Sequence, residues 1–210
     1  MFDTLLFMGR PLSCILTRPE DVAVIDCEAS SLRGALQRAW PDAKTSYPIE
    51  VAYALSNGFT RSWLIKPEPG WVDWNGTAEN SDIGQIHGIS RTELFEKGHD
   101  VRAVARELNA ALAGKIVLCD SGHKGADHFW VKRLFDAAGE KQQFEMYFFY
   151  DLIDLNLDDD TLAALGAGQD MPHRAAGDAR ILMDFYERCY NHSIAMGQPG
   201  MSSGPYGVSL

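Results

Sequence analysis

Residues 22–32 read VAVIDCEASSL, and no other stretch of the chain limits its fold so strongly. Four apolar residues in a row, Val22 to Ile25, are the pattern of a strand buried on both faces of a parallel or mixed sheet, because a strand with one wet face would alternate. Side chains two apart in a strand share a face, so Asp26 and Glu28 project together while Cys27 points to the other side. Two neighbouring carboxylates repel each other, and either a raised pKa or a bound cation relieves them. By itself the pair also fits a solvated strand end. Its meaning depends on what the rest of the chain brings to it.

The elements that follow predict the sheet. Tyr47 to Leu55 reads as a strand, and Asn57-Gly58 between it and FTRSWLIKP is a hairpin signal, so the first three strands form an antiparallel meander. A short helix is expected from Leu32 to Trp40, ended by Pro41. Ser90 and Glu93 form a capping box for a helix over 91–97. Asp100 caps a second helix, whose Val101, Val104, Ala105, Leu108, Ala111 and Leu112 repeat at helical spacing up to Gly114. KIVLCD, a helix from ADHFWVKRLFDAAG and the strand FEMYFFYDL then make a βαβ unit. A short helix over LDDDTLAALGAG and a long one over PHRAAGDARILMDFYERCYNHSIAM, with Pro172 near its first turn, close the chain. The fold class expected is α/β, a mixed sheet of antiparallel meander plus βαβ flanked by helices. Its boundaries are an N-terminal extension over 1–20, one domain over 21–196 and a flexible glycine- and serine-rich tail over 197–210.

Composition removes several functions. With a formal charge of −10, the chain carries no broad basic surface for coating nucleic acid. Cys14, Cys27, Cys119 and Cys189 make no C-x-x-C, so neither a zinc knuckle nor a disulfide framework is indicated, and reduced thiols suit a cytoplasmic protein. The N-terminus lacks the positive region of a secretory signal, and no segment approaches a membrane span. Trp71 and Trp74 lie in a proline- and glycine-rich loop; packing, a homodimer contact or base stacking would each use them.

Three distant pieces bear on Asp26 and Glu28: Asp127 where the helix after KIVLCD opens, Asp178 beside the apolar stripe of the last helix, and His173 ahead of it. A D-x-E on the first strand, IHGIS after the third, an aspartate opening the next helix and H-x-x-x-x-D at the end resemble the DEDDh 3′–5′ exonucleases of the ribonuclease H-like superfamily. The likeness runs over roughly Asp21 to Asn191, and PHRAAGDA is its most telling piece. The chain departs from the family pattern in two places. Ala29-Ser30-Ser31 stands where two threonines and a glycine are usual, and Ala126 precedes Asp127 where the family has an aromatic or other apolar residue. Asp120, at the end of KIVLCD, is a rival to Asp127.

The resemblance implies a ribonuclease H-like fold and a metal-dependent exonuclease that releases nucleoside 5′-monophosphates from single-stranded DNA or RNA. It implies that Asp26, Glu28, Asp127 and Asp178 hold two divalent cations, Mg²⁺ or Mn²⁺, which suit hard oxygen ligands. Such ions, about 4 Å apart, stabilise the attacking and leaving oxygens of an in-line displacement. His173 is implied as general base, a task suited to histidine. Glu28 would also meet the terminal 3′ hydroxyl, with Ala29, Ser30, Leu32 and His87 toward the substrate. The competing expectation is a non-catalytic binding or scaffold protein of the same fold.

Overall fold

The computed structural model describes residues 6–7, 10–11, 16–31, 46–74, 87–121, 125–150 and 157–197. The helix expected over 32–40, Leu32 itself and the tail beyond Gly197 lie outside them. Two short antiparallel strands, β1 (Leu6–Phe7) and β2 (Arg10–Pro11), open the chain. A 3₁₀ turn, Pro19–Asp21, leads into β3 (Val22–Ala29). Next come β4 (Pro48–Leu55), β5 (Thr60–Leu64), α1 (Arg91–Lys97), α2 (Val101–Leu112) and β6 (Ile116–Cys119). The last elements are α3 (Ala126–Ala138), β7 (Met146–Phe148), α4 (Asp159–Leu165) and α5 (Ala175–Ala195).

Five strands form one sheet in the order β5-β4-β3-β6-β7. The meander is present: β3 pairs antiparallel with β4, and β4 with β5, around a turn in which Gly58 adopts φ +80°. On its other side β3 pairs in parallel with β6, and β6 with β7, joined through α3 as the βαβ pattern predicts. Central β3 is buried along nearly its whole length, which is why its apolar run does not alternate. Odd-numbered Ala23, Ile25, Cys27 and Ala29 join the core under α1, α2 and α3. Val22 and Val24 join a second core, under α4 and α5. Asp26 and Glu28 continue that second face beyond the apolar residues, so the alternation aims both acids toward α5.

The helix starts follow the expected chemistry. Ser90 Oγ accepts from the Glu93 amide at 3.1 Å, and Asp100 Oδ1 accepts from the Arg102 and Ala103 amides at 3.0 and 3.1 Å. Residues 16 and 17, just ahead of the 3₁₀ turn, are tied to the domain. Leu16 is buried in the second core, and the Tyr186 hydroxyl of α5 donates to the Thr17 carbonyl at 2.7 Å.

Two boundaries differ from expectation. The strand read over FEMYFFYDL holds only Met146–Phe148, because the chain turns at Phe149 to bury that ring against Phe185 and Tyr186 at centroid distances of 5.9 and 6.4 Å. The last helix begins at Ala175 rather than at Pro172, because His173 sits in the left-handed region, φ +53°, which no helix continues through. His173 is therefore beside the helix, not within it.

Gly98 closes α1 against the end of β5, where the Lys66 amide donates to the His99 carbonyl at 3.0 Å. A Cβ at position 98 would stand 2.6 Å from the Lys66 nitrogen and closer still to the Leu94 carbonyl. Backbone atoms on both sides leave nothing to yield cheaply. Gly98→Ala is expected to cost about 1–3 kcal/mol, read as a lower urea midpoint; an unchanged midpoint would show that α1 can shift freely.

Candidate metal centre

The site forms where β3 and β6 end side by side. Val22 pairs with Ile116 and Val24 with Leu118, so continuing the register brings Asp26 level with Asp120. On the other side Asp26 faces Ala52 and Glu28 faces Glu50. Asp127 arrives from the first turn of α3, held by its own amide, which donates to Ser121 Oγ at 2.8 Å. Asp178 arrives from the first turn of α5. Asp26, Asp127 and Asp178 are buried, Glu28 nearly so, and Asp120 lies at the rim.

The acids fall into two overlapping sets. One oxygen each of Asp26, Asp120 and Asp127 lie within 4.8 Å of one another, and so do oxygens of Asp26, Glu28 and Asp178. Asp26 belongs to both. At that spacing two full charges repel by about 3.5 kcal/mol even at an effective dielectric constant near 20. Several such pairs would rival the whole stability of a domain, about 5–15 kcal/mol, so the cluster cannot be fully ionised without a counter-charge.

The electrostatic surroundings of each acid act in the same sense. Burial, and then the neighbouring charges of Asp127, Asp120, Glu28 and Asp178, push Asp26 well above the ordinary carboxylate range. Burial and then the charge of Asp178 raise Glu28 to about 8. Asp127 rises to about 7 through burial and the Asp120 charge, opposed by hydrogen bonds from Ser121 and the Cys27 backbone. Asp178 is raised by burial, while His173 and nearby backbone pull the other way. Two buried carboxylate oxygens, Asp127 Oδ2 and Asp178 Oδ1, have no hydrogen-bond partner among the described residues. Unpartnered hard oxygens converging on a shared carboxylate fit a divalent cation.

The other candidate residues lie around this nest. His173 is exposed, one residue before the α5 cap, and close enough to influence Asp178 electrostatically. Ala29, Ser30 and Ser31 are buried in the turn leaving β3. Ser30 Oγ accepts from the Tyr47 amide at 3.1 Å, and Ser31 Oγ donates to Asp73 at 2.5 Å, so both hydroxyls are engaged inside the protein. Trp130 secures the same turn by donating to Ser46 Oγ at 3.1 Å, and Ser46 donates to the Ser31 carbonyl at 2.6 Å. His87 is buried, with Nδ1 accepting from the Ile89 amide at 3.0 Å; burial and the Arg174 charge lower it to about 4 and keep it neutral. Its Nε2 has no partner among the described residues.

Sequence reasoning missed Ser121, Glu50 and its partner Arg174. Ser121 gives no sequence signal. Glu50 does give one: it is the single charge in the apolar strand PIEVAYAL, and the structure buries it against Arg174. Trp71, by contrast, is resolved in favour of packing, since its ring stacks on Tyr47 at 5.1 Å and Arg133 lies 5.7 Å above it. Beside it is a cavity of about 420 Å³ lined by Lys66, Glu68, Trp71, Arg91, Phe95 and Asp100, among others.

No protein-family model matches the chain, and no curated protein does. Solved structures match it by shape. The RNase domain of the yeast Pop2 protein superposes with a TM-score of 0.53 at 14% identity, over 84% of this chain and 78% of that one. E. coli exonuclease I in complex with a dA16 oligonucleotide gives 0.54 at 14% identity, over 83% and 43%. The fold is ribonuclease H-like. A moderately thermophilic exonuclease I from Methylocaldum szegediense matches similarly, with a TM-score of 0.53, 14% identity and coverage of 83% and 42%. The chain thus spans less than half the length of the exonuclease I proteins. In the ribonuclease H-like sheet seen here, the acid nest occupies the carboxyl ends of two neighbouring parallel strands, where open α/β sheets place their ligands. Among the described residues no helix is long and apolar enough to cross a membrane.

The raised pKa values set a pH dependence. A folded-state pKa above the unfolded value gives stability that is complete below the unfolded pKa, near 4, and is lost as pH rises through the folded one. With Asp127 at about 7 and Glu28 at about 8, the metal-free protein should lose thermal stability between about pH 4 and pH 8. Mn²⁺ should restore more of it at pH 8 than at pH 5. Asp127→Asn should raise the melting temperature in chelator at pH 8 and abolish most of the Mn²⁺ response. Circular dichroism melts would show this, and a flat pH profile with no Mn²⁺ effect would contradict it.

Proposed function

We propose that the chain is a metal-dependent 3′–5′ exonuclease that removes nucleoside 5′-monophosphates from single-stranded DNA or RNA. The observation that carries this reading is the convergence of Asp26, Glu28, Asp120, Asp127 and Asp178 from β3, the end of β6, α3 and α5, with Asp26 common to both sets. The ribonuclease H-like fold supports it, and E. coli exonuclease I, one of the neighbours, was determined with an oligonucleotide bound.

Asp26, Glu28, Asp127 and Asp178 would hold two ions, Mg²⁺ or Mn²⁺, with Asp26 shared and Asp120 adding a carboxylate on the Asp127 side. When bound, the ions supply positive charge for both the attacking and the leaving oxygen of a phosphoryl displacement. His173, exposed beside Asp178, accepts a proton from the attacking water as that oxygen bonds to phosphorus. The P–O3′ bond breaks, the leaving O3′ takes a proton from solvent water, and the shortened strand departs with a 3′ hydroxyl while the last residue leaves as a nucleoside 5′-monophosphate. Glu28 meets the terminal 3′ hydroxyl, and the backbone at Ala29 and Ser30, together with His87, borders the last nucleotide. Phe95, Arg91 and Lys66 line a cavity of the right chemistry for a base and a phosphate, since an exposed ring and cations hold single strands with little regard to sequence. The carboxylates of Glu68 and Asp100 in the same wall, and the net charge of −10, favour short strands over a tight grip on long duplex.

A 3′-labelled oligonucleotide, offered as DNA and as RNA with Mg²⁺ or Mn²⁺, should lose labelled mononucleotide. Asp26→Asn should abolish release. His173→Ala should lower kcat by about 10²–10⁴ while Mn²⁺ affinity is kept. Wild-type protein that releases nothing from either strand would remove the exonuclease reading, and equal loss of turnover and Mn²⁺ affinity in His173→Ala would make that histidine a ligand instead.

A further inference from the structure

Glu50 lies on β4 directly across from Glu28 and is only 3% exposed. Its carboxylate receives three hydrogen bonds. Arg174 donates from Nε to Oε2 at 2.9 Å and from Nη2 to Oε1 at 3.0 Å, and the Ala175 amide donates to Oε2 at 3.2 Å. Arg174 is the N-cap residue of α5, yet its own side chain caps nothing. The first amide of the helix is satisfied instead by an acid 125 residues away in sequence.

That single carboxylate therefore ties together the parts of the nest that the chain brings from farthest apart. Through β4 it sits beside Glu28. Through Ala175 it fixes the start of α5, and Asp178 follows Arg174 by one helical turn, the Asp178 amide donating to the Arg174 carbonyl at 3.0 Å. Through Arg174 it also holds the neighbouring residue His173, whose left-handed backbone is a conformation that persists only where its surroundings enforce it. A second strut acts on the same loop: the Pro172 ring packs so closely on Gly177 that a Cβ there would stand 2.6 Å from Pro172 Cγ.

A purely structural role explains this pair poorly. Glu50 is buried while the Arg174 side chain is half-exposed; exposed pairs contribute little to stability and buried ones are commonly replaced by apolar residues without loss, so stability alone does not require a charge here. A carboxylate facing Glu28 also adds repulsion to a nest that already has too much. What an apolar pair would lack is direction: the two parallel bonds of a guanidinium fork, with a third from the helix amide, fix orientation as well as distance. We propose that Glu50 and Arg174 are positioning residues, whose paired side chains orient the first turn of α5 so that Asp178 enters the nest and His173 stays beside it. This rests on reading the nest as the metal site of a phosphodiesterase.

The test uses the full chain with Mn²⁺ as the probe. Glu50→Leu combined with Arg174→Met keeps the volume and removes the fork, and Arg174→Lys keeps the charge but not the two parallel bonds. The double variant should melt within about 4 °C of wild type, because the apolar pair preserves packing. Its Mn²⁺ affinity by calorimetry, and its kcat on a 3′-labelled strand, should each fall by about 10–100-fold, with KM changing less. Arg174→Lys should recover part of both. A folded double variant with wild-type affinity and kcat would overturn the proposal. Should the double variant fail to fold, Arg174→Lys decides alone, and wild-type values there would overturn the proposal equally. If wild-type protein releases no nucleotide, the exonuclease reading falls, while the Mn²⁺ affinities still decide whether the pair positions the nest.

Discussion

Mutual repulsion among buried carboxylates is the constraint around which this protein is arranged. Asp26, Glu28, Asp127 and Asp178 are brought together by elements that have other reasons to be where they are: the central strand, the helix of the βαβ unit and the closing helix. Each element is stabilised by its own apolar face, and each delivers one or two acids to a common point. The cost is visible in the raised pKa of every acid in the nest. Packing on both faces of β3 supplies the stability that holds such a cluster together.

The surroundings of the nest are built to resist that repulsion. Ser121 donates to Asp127 and receives its amide, which fixes the start of α3. The turn after β3 is held from below by the Trp130–Ser46–Ser31 chain and from the side by Asp73. Glu50 and Arg174 anchor α5. The acids are thus placed by rigid secondary structure and by hydrogen bonds outside their own number, the condition under which a metal site keeps its geometry.

Much of this was legible in the residues. The unbroken run Val22 to Ile25 announced a central strand, and the period of two correctly put Asp26 and Glu28 on one face. Ser90, Asp100 and Gly139 marked helix ends through local chemistry that tertiary structure does not override; Gly139, at φ +65°, closes α3. What could not be read was whatever depends on long-range pairing. The level of Asp26 against Asp120 follows from the β3–β6 register, which no local pattern encodes. The sequence reads the last helix as starting near Pro172 because proline is compatible with a first turn, and only the left-handed His173 and the tether of Ala175 to Glu50 exclude that start. The run around Phe149 reads as a strand because an aromatic run gives no sign of which core its last ring will enter.

The central claim is that the acid nest is a divalent-cation site with Asp26 shared between two positions. Crystals grown with Mn²⁺ and measured near the manganese absorption edge test it most directly. Two anomalous peaks are predicted, one among Asp26, Asp120 and Asp127 and one among Asp26, Glu28 and Asp178. Well-ordered density for these side chains with no anomalous peak between them, at millimolar Mn²⁺ and pH 8, would contradict it.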